Sequence, residues 1–277
     1  MNIVGIDIGG TKTSIGIIDI KKGLVISKIL IPSKQFKNDK KNLNSIISHT
    51  LKLIDNQNIE KIGIGVPELI NNKGIIKGDY NFDWNNLDLS KFFPKKFTVK
   101  VDSDVRCHLR AEKLYGHGKE LNNFIYINIG TGLSYSHFQN NQIYSGANGY
   151  AIHFASSRIT LYDPLTNKKF SLVPESFYSG KSIVRLLSKN KNIKKQNLIL
   201  NNIADSLGSL IGNLVNSVDP NLIVLGGGVI INNLKFRNLL IKYSRNYFLS
   251  KDSKKIKILI SKLKVDTGLL GAAAIFK

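Results

Sequence analysis

Two segments of this chain carry the same local pattern, and that repetition constrains the fold more than any other feature. Residues 3–13 read Ile-Val-Gly-Ile-Asp-Ile-Gly-Gly-Thr-Lys-Thr, and an apolar strand resumes from Thr13 to Asp19. Residues 124–138 run from Phe124–Ile129 through Gly130-Thr131-Gly132 into Leu133–Phe138. Each reads as a short buried strand, a turn of glycine and threonine, and a second strand. Glycine has no Cβ, so backbone N–H groups in such a turn can approach an anion closely. One hairpin of this kind is weak information, because a tight turn with a solvated Asp reads the same way. Two of them, about 120 residues apart, predict two related lobes facing each other across a cleft.

Asp7 sharpens the first hairpin. It interrupts an otherwise apolar run, and a carboxylate is costly to bury unpaired, so it is expected to face a cleft or a cation. Strand, acid, Gly-Gly-Thr and strand together suit a phosphate-holding hairpin with an Asp beside it for Mg²⁺.

Between and after the hairpins the chain alternates strands with helices, which places it in the α/β class. Strands are expected at 24–31, Lys61–Val66, Gly74–Lys77, Phe97–Val101, Leu222–Leu225 and Ile256–Ile260. Leu43, Ile46, Ile47, Thr50, Leu51 and Ile54 form one stripe of a helix over 39–55. A helix runs from Asp104 to about Tyr115, capped by Ser103 or Asp102. Its N-terminal dipole favours an ionised Asp104, the state a general base needs, although Asp104 could equally be a plain cap. Residues 79–93 are a polar-aromatic loop with a short helix, suited to a sugar-like ligand or to simple aromatic anchoring. Residues 159–173 read as a variable excursion, Pro174-Glu175 opens a helix running past Ser179-Gly180, and 189–197 is a Lys-rich loop. The clearest helix is 198–218, stopped by Pro220. Three glycines, Gly226 to Gly228, follow a strand, where bare backbone can lie against a flat ligand or a phosphate, or simply turn the chain. Helices at about 233–248 and Leu269–Phe276 complete the pattern.

Composition excludes several functions. One cysteine, Cys107, in 277 residues forbids an intrachain disulfide and any multi-cysteine metal cluster, and fits a reducing, cytoplasmic setting. The chain opens on a strand broken by Asp7, which is not the pattern of a signal peptide. No apolar run approaches the roughly 20 residues that span a bilayer, so no membrane partner is expected. The net charge of +21 is spread along the whole chain with few interleaved aromatics, which disfavours nucleic acid as a partner and suits steering of a phosphorylated cosubstrate.

The ordered motifs resemble the ROK family (repressor, open reading frame, kinase) of the actin-like, ribonuclease H-like ATPase fold. They are GIDIGGTKT (5–13), GIGVP (63–67), VDSDVRCHLRAE (101–112), NIGTG (128–132), GANGYAIH (146–153), PESFYSG (174–180), NSVDPNLIVLGGGV (216–229) and LGAAA (270–274). The resemblance implies an N-terminal lobe over 1–111, a C-terminal lobe over 112–265, and a helix at 266–277 packing back on the first lobe. It implies ATP in the cleft, with Mg²⁺ near Asp7, directly or through water. Gly9, Gly10, Thr11, Lys12, Gly130, Thr131 and Gly132 would hold the phosphates, and Gly226, Gly227 and Gly228 would line the adenosine. The family's catalytic base falls on Asp104, and its sugar-binding positions fall on Ser103, Tyr150, His153 and Glu175. Relatives are often homodimers.

This chain departs from the family pattern at several of these places. Ser103 stands where the family usually has Asn, Tyr150 where it has a sugar-binding Glu, and Ser134 and Ser136 where Gly is common. Residues 154–174 contain none of the family's zinc-binding cysteines, so no structural zinc is expected. The expected function is therefore an ATP-dependent hexose or amino-sugar kinase. The alternative is a catalytically reduced relative that binds sugar or nucleotide in a sensory or regulatory role. The family's repressors carry an N-terminal helix-turn-helix ahead of the phosphate hairpin, and this chain starts at the hairpin, which disfavours that role.

Overall fold

The first apolar segments pair as the hairpin pattern requires. In the computed structural model, which describes residues 1–55 and 57–277, β1 (Asn2–Ile8) and β2 (Lys12–Asp19) run antiparallel with Asp7 opposite Ser14. β3 (Leu24–Pro32) adds to β2, while β4 (Lys61–Val66) and β5 (Thr98–Ser103) lie parallel on the other side of β1. The sheet order is β3-β2-β1-β4-β5. Helix α1 (Asp39–Leu53) follows β3, with Asn38 accepting from Lys41 N as its cap. Helix α2 (Asp104–Tyr115) follows β5 directly.

The second half repeats the topology. After β6 (Asn123–Ile129), β7 (Leu133–Gln139) and β8 (Gln142–Tyr144) comes a two-stranded hairpin, β9 (Ile159–Tyr162) with β10 (Lys169–Leu172). Then follow α3 (Glu175–Tyr178), α4 (Gly180–Ser188), α5 (Ile193–Val218), β11 (Leu222–Gly226), α6 (Gly228–Asn232), α7 (Leu234–Ser244), β12 (Lys257–Ile260) and α8 (Thr267–Ala273). The second sheet is ordered β12-β11-β6-β7-β8, with β6, β11 and β12 parallel. Read from the β8 side, this is the first sheet again. The chain divides into two compact units: Met1–Asn122 with Ser136–Ala151 and Ser261–Lys277, and Asn123–Tyr135 with Ile152–Ile260. β7 begins in the second unit and ends in the first, and the outer boundaries lie at 122/123 and 260/261.

Several expected elements take another form. Gly74–Lys77 is no strand; only Ile76 makes an isolated bridge, to Ile70. The helix expected to run through Ser179 is broken there, where the backbone is extended at ψ 157°. Residues 193–197 are helical rather than loop, since Asn192 caps α5 by accepting from Lys195 N. The expected excursion at 159–173 pairs as β9 and β10. At 26 residues α5 is long and apolar enough to cross a membrane by length and composition alone, a test that core helices also pass. Its stripe of Leu200, Ile203, Leu207, Ile211 and Val215 is packed in the core of the second unit.

The two faces of β1 explain how the first unit places its polar groups. Val4, Ile6 and Ile8 belong to the core that α1 covers. Ile3, Gly5 and Asp7 alternate onto the other face, where Ile3 packs with Leu269 and Ala273 of α8. That face is stripped of side chains. A Cβ on Gly63 would fall 1.8 Å from Ala272 O, and one on Gly271 would fall 1.8 Å from Cys107 O. The glycines thus let α8 and α2 lie almost on the sheet backbone.

Candidate active site

Asp7 ends the stripped face of β1. The residue behind it is Gly268 in α8, where a Cβ would come within 2.0 Å of Asp7 Oδ2. Asp104 is the first residue of α2, and Gly65 of β4 closes beneath it, with an added Cβ 3.5 Å from its Cα. Asp104 Oδ1 accepts from Val105 N at 2.7 Å and from Ser103 Oγ at 3.4 Å. Ser103 is fully buried.

Burial pushes the Asp104 carboxyl up to about 6, and the Asp7 charge adds to that; His108, Val105 N–H and the Ser103 hydroxyl oppose it. Asp7 is also raised, by burial, against the pull of His108. Desolvation raises the Asp104 carboxyl, and at about 6 it is still ionised at pH 7, the state a general base needs. His108, four residues after Asp104, lies on the same helical face, a signal carried by the spacing alone. Of the two expected caps, Ser103 is the N-cap, though its side chain makes no cap bond, and Asp102 serves an ion pair.

Asp102 is bound by Arg106 Nε and by Arg110 Nη2, each at 2.5 Å. Arg106 also donates to Gly149 O at 2.6 Å and Ile70 O at 3.1 Å, pinning the loop that carries Tyr150. Tyr150 itself is 38% exposed. In the 79–93 loop, Phe82 and Trp84 are buried and stacked at 4.1 Å, so these rings anchor the loop in the core, and Tyr80 alone of the three is exposed. Buried Glu68, unmarked by the sequence reading, gathers the N–H groups of Tyr80, Asn81 and Phe82.

The turn of the first hairpin is closed by Gly9 N to Lys12 O at 2.9 Å, and Thr11 and Lys12 are exposed. The second hairpin, described within its own unit, is closed by Gly130 N to Gly132 O at 3.1 Å. Glu175 Oε1 accepts from Leu133 N at 2.7 Å, and Gly180 N donates to Gly130 O at 2.7 Å. Gly227, at φ +91°, backs onto Ile129 O and Asn128 Oδ1, so Gly226 to Gly228 sit beside this hairpin. His153 Nδ1 meets Ser156 Oγ at 3.0 Å, and Glu175 acts on its ring electrostatically. The second unit thus gathers Gly130 to Gly132, Glu175, His153 and the glycine triplet. The first gathers Asp7, Ser103, Asp104 and His108.

The model of the ROK family matches residues 3–277. A xylose repressor of Bacillus spizizenii is 26% identical over 246 residues; the match covers 82% of this chain but only 64% of the repressor. A glucokinase of Thermotoga maritima is 22% identical over 312 residues, covering all of this chain and 98% of that one. The structure of a ROK family glucokinase from Streptomyces griseus, in complex with glucose and AMPPNP, superposes with a TM-score of 0.86 at 21% identity, covering 99% of both chains. That likeness establishes the two-lobed, actin-like ATPase fold.

Proposed function

The chain belongs to the ROK family, and from that premise we propose that it is an ATP-dependent sugar kinase with Asp104 as general base. The observation that supports this reading is a half-buried carboxylate at a helix start, its pKa raised by desolvation beside a second carboxylate, Asp7. Phosphoryl transfer needs mostly alignment and charge stabilisation. A base whose pKa lies near the working pH is suited to accept the acceptor hydroxyl's proton.

The residues fit a nucleotide and Mg²⁺. The described residues contain no group of three or more His, Cys, Asp or Glu that could hold a metal alone. Mg²⁺ is commonly bound by one or two carboxylates together with substrate phosphates, and a pair of carboxylates with raised pKa values gains from a cation. Bound Mg²⁺ would neutralise phosphate charge. Asp7 would hold it, directly or through water, while N–H groups of the Gly9–Lys12 turn, other than the one Gly9 donates to Lys12 O, would donate to phosphate oxygens. In the second unit the Gly130–Gly132 turn, fixed by Leu133 N–Glu175 and Gly180 N–Gly130, offers a like set of amides, and Gly226 to Gly228 offer bare backbone for the adenosine. His153 and Glu175 would bind sugar hydroxyls. Tyr150, exposed and different from the family pattern, would help set which sugar fits, while Ser103, fully buried, would act through its hydrogen bond to Asp104.

A second reading, a sugar-binding regulator, is favoured by the likeness to xylose repressors. The retained Asp104 separates the two, because binding alone does not use a base. A coupled ADP-release assay across hexoses, amino sugars and N-acetylated sugars tests the kinase reading directly. Sugar binding without ADP release for every sugar would support the regulator.

Two further results are expected. The kcat/KM for the accepted sugar should rise with pH through about 6 and then level, because Asp104, facing Asp7, His108 and Ser103, must lose its proton to act. A flat profile from pH 5 to pH 8 would count against Asp104. Gly268→Ala should turn Asp7 away, since the conflict is with a side-chain end and not with backbone. The Mg²⁺ requirement, measured by titrating the metal at fixed ATP, should rise by about 10–100-fold while the melting temperature stays close to wild type.

A further inference from the structure

The first unit contains a cavity of about 440 Å³ that none of the roles above uses. Its walls include Lys73, Lys100, Arg106 and Arg110, against Asp88 and Asp102. Arg106 and Arg110 stand four residues apart on α2 and share a face. Asp104 and His108 are displaced from them by two residues, which turns them to the other side of the helix. The cavity is therefore set apart from the face carrying the proposed base.

The carboxylates here are already used. Asp102 binds both arginines, and Asp88 Oδ1 accepts from Ser90 N and Oγ. Arg106 spends its donors on Asp102, Gly149 O and Ile70 O. Three positive groups remain. Lys73 is exposed, and Lys100 Nζ rests 5.1 Å from the centroid of the Phe276 ring. Arg110 lies in the wall with its side chain 24% exposed and Nη2 on Asp102. One carboxylate shared by two guanidiniums leaves positive charge over in the wall, and its natural complement is an oxyanion. The Arg106 bonds fix the surrounding loops in advance, which lowers the ordering cost of binding.

We propose that this cavity binds the phosphate monoester of a small hydroxylated molecule. Arg110 and Lys73 take the phosphoryl oxygens, and the polar side chains of Asn71 and Ser145, also in the wall, take hydroxyls. The volume exceeds what a bare phosphate fills and lies in the range of small-molecule sites. The proposal does not depend on the kinase reading, because binding can be measured without turnover.

The test is isothermal titration calorimetry of the full chain with glycerol 3-phosphate, glucose 6-phosphate, inorganic phosphate and glucose. At least one ester should bind saturably at millimolar concentration or below, more tightly than phosphate or glucose. Lys73→Glu should weaken that ester by about ten-fold or more and leave ATP binding unchanged. Arg110→Gln should do the same, but it also strips a partner from Asp102. Lys73→Glu, at an exposed side chain, is therefore the decisive variant, with circular dichroism confirming its fold. Unchanged ester affinity in Lys73→Glu would place the anion elsewhere and overturn the site. Absence of saturable binding for both esters would overturn it as well, and equal affinities for ester and free phosphate would overturn the ester assignment.

Discussion

Asp104→Asn will lower sugar-dependent ADP release by about 10²–10⁴-fold and will at the same time raise the melting temperature. The substitution keeps the shape, and its amide oxygen can still accept from Val105 N. What it removes is a group able to take the acceptor proton. The gain in stability follows from the direction of the pKa shift. Burial, with the nearby Asp7 charge, raises the folded-state value to about 6. In the unfolded chain the value is about 3.9. Ionised Asp104 therefore penalises the folded state. The penalty is absent below about pH 4, grows as pH rises to about 6, and is fully present at neutrality. Removing the charge should return roughly 1–3 kcal/mol at pH 7.5 and nothing at pH 4. Melting curves at the two pH values, with the ADP assay at the higher one, check both halves. An inactive variant that is more stable at pH 7.5 cannot owe its inactivity to misfolding. Turnover near wild type would place the base elsewhere. Such a trade of stability for a poised group is expected where function needs a charge in a poorly solvated place.

Much of the fold could be read from periodicity because the strands are short, apolar and bounded by glycine turns. Val4, Ile6 and Ile8 announce one face of β1, and the helical stripe from Ile203 to Val215 announces α5. Polar caps and backbone breaks overrule composition at two places. Asn192 starts α5 among lysines, and the extended Ser179 divides what looked like one helix. Asp104 and Asp7 were legible as acids at strand ends. The state of Asp104 was not, since desolvation depends on the helix, sheet and glycine backbone that close around it, which no local pattern contains. Gly268 was hidden for the same reason: its partner, Asp7, is far away in sequence and meets it only through the close approach of α8. His108, Arg106 and Arg110 did carry a signal, the four-residue spacing on α2. That spacing sets Arg106 and Arg110 on the face of α2 opposite Asp104 and His108.

That opposite face supports the second large effect. Asp102→Ala should destabilise the first unit by about 3–5 kcal/mol, a large share of the 5–15 kcal/mol typical of folded domains. Asp102 is 8% exposed and Arg106 3%, so removing the carboxylate leaves Arg106 buried without its counter-charge and Arg110 without its only hydrogen-bonded carboxylate among the described residues. The arginines cannot relieve this by losing protons. Burial by itself would raise the Asp102 carboxyl, but Arg110 first and Arg106 next pull it below its ordinary value. A lowered folded-state pKa contributes stability above the unfolded value of about 3.9, and that contribution fades as pH falls through the folded value. Wild type should therefore lose stability below about pH 4, and the Asp102→Ala variant, already lacking the term, should show a shallower acid limb. Urea melts of both proteins from pH 3 to pH 7 measure the two effects together. If the variants differed by less than about 1 kcal/mol at pH 7, the cluster would be no stronger than an exposed pair. The floor of the cavity beside Lys73 would then not be held rigid by this ion pair.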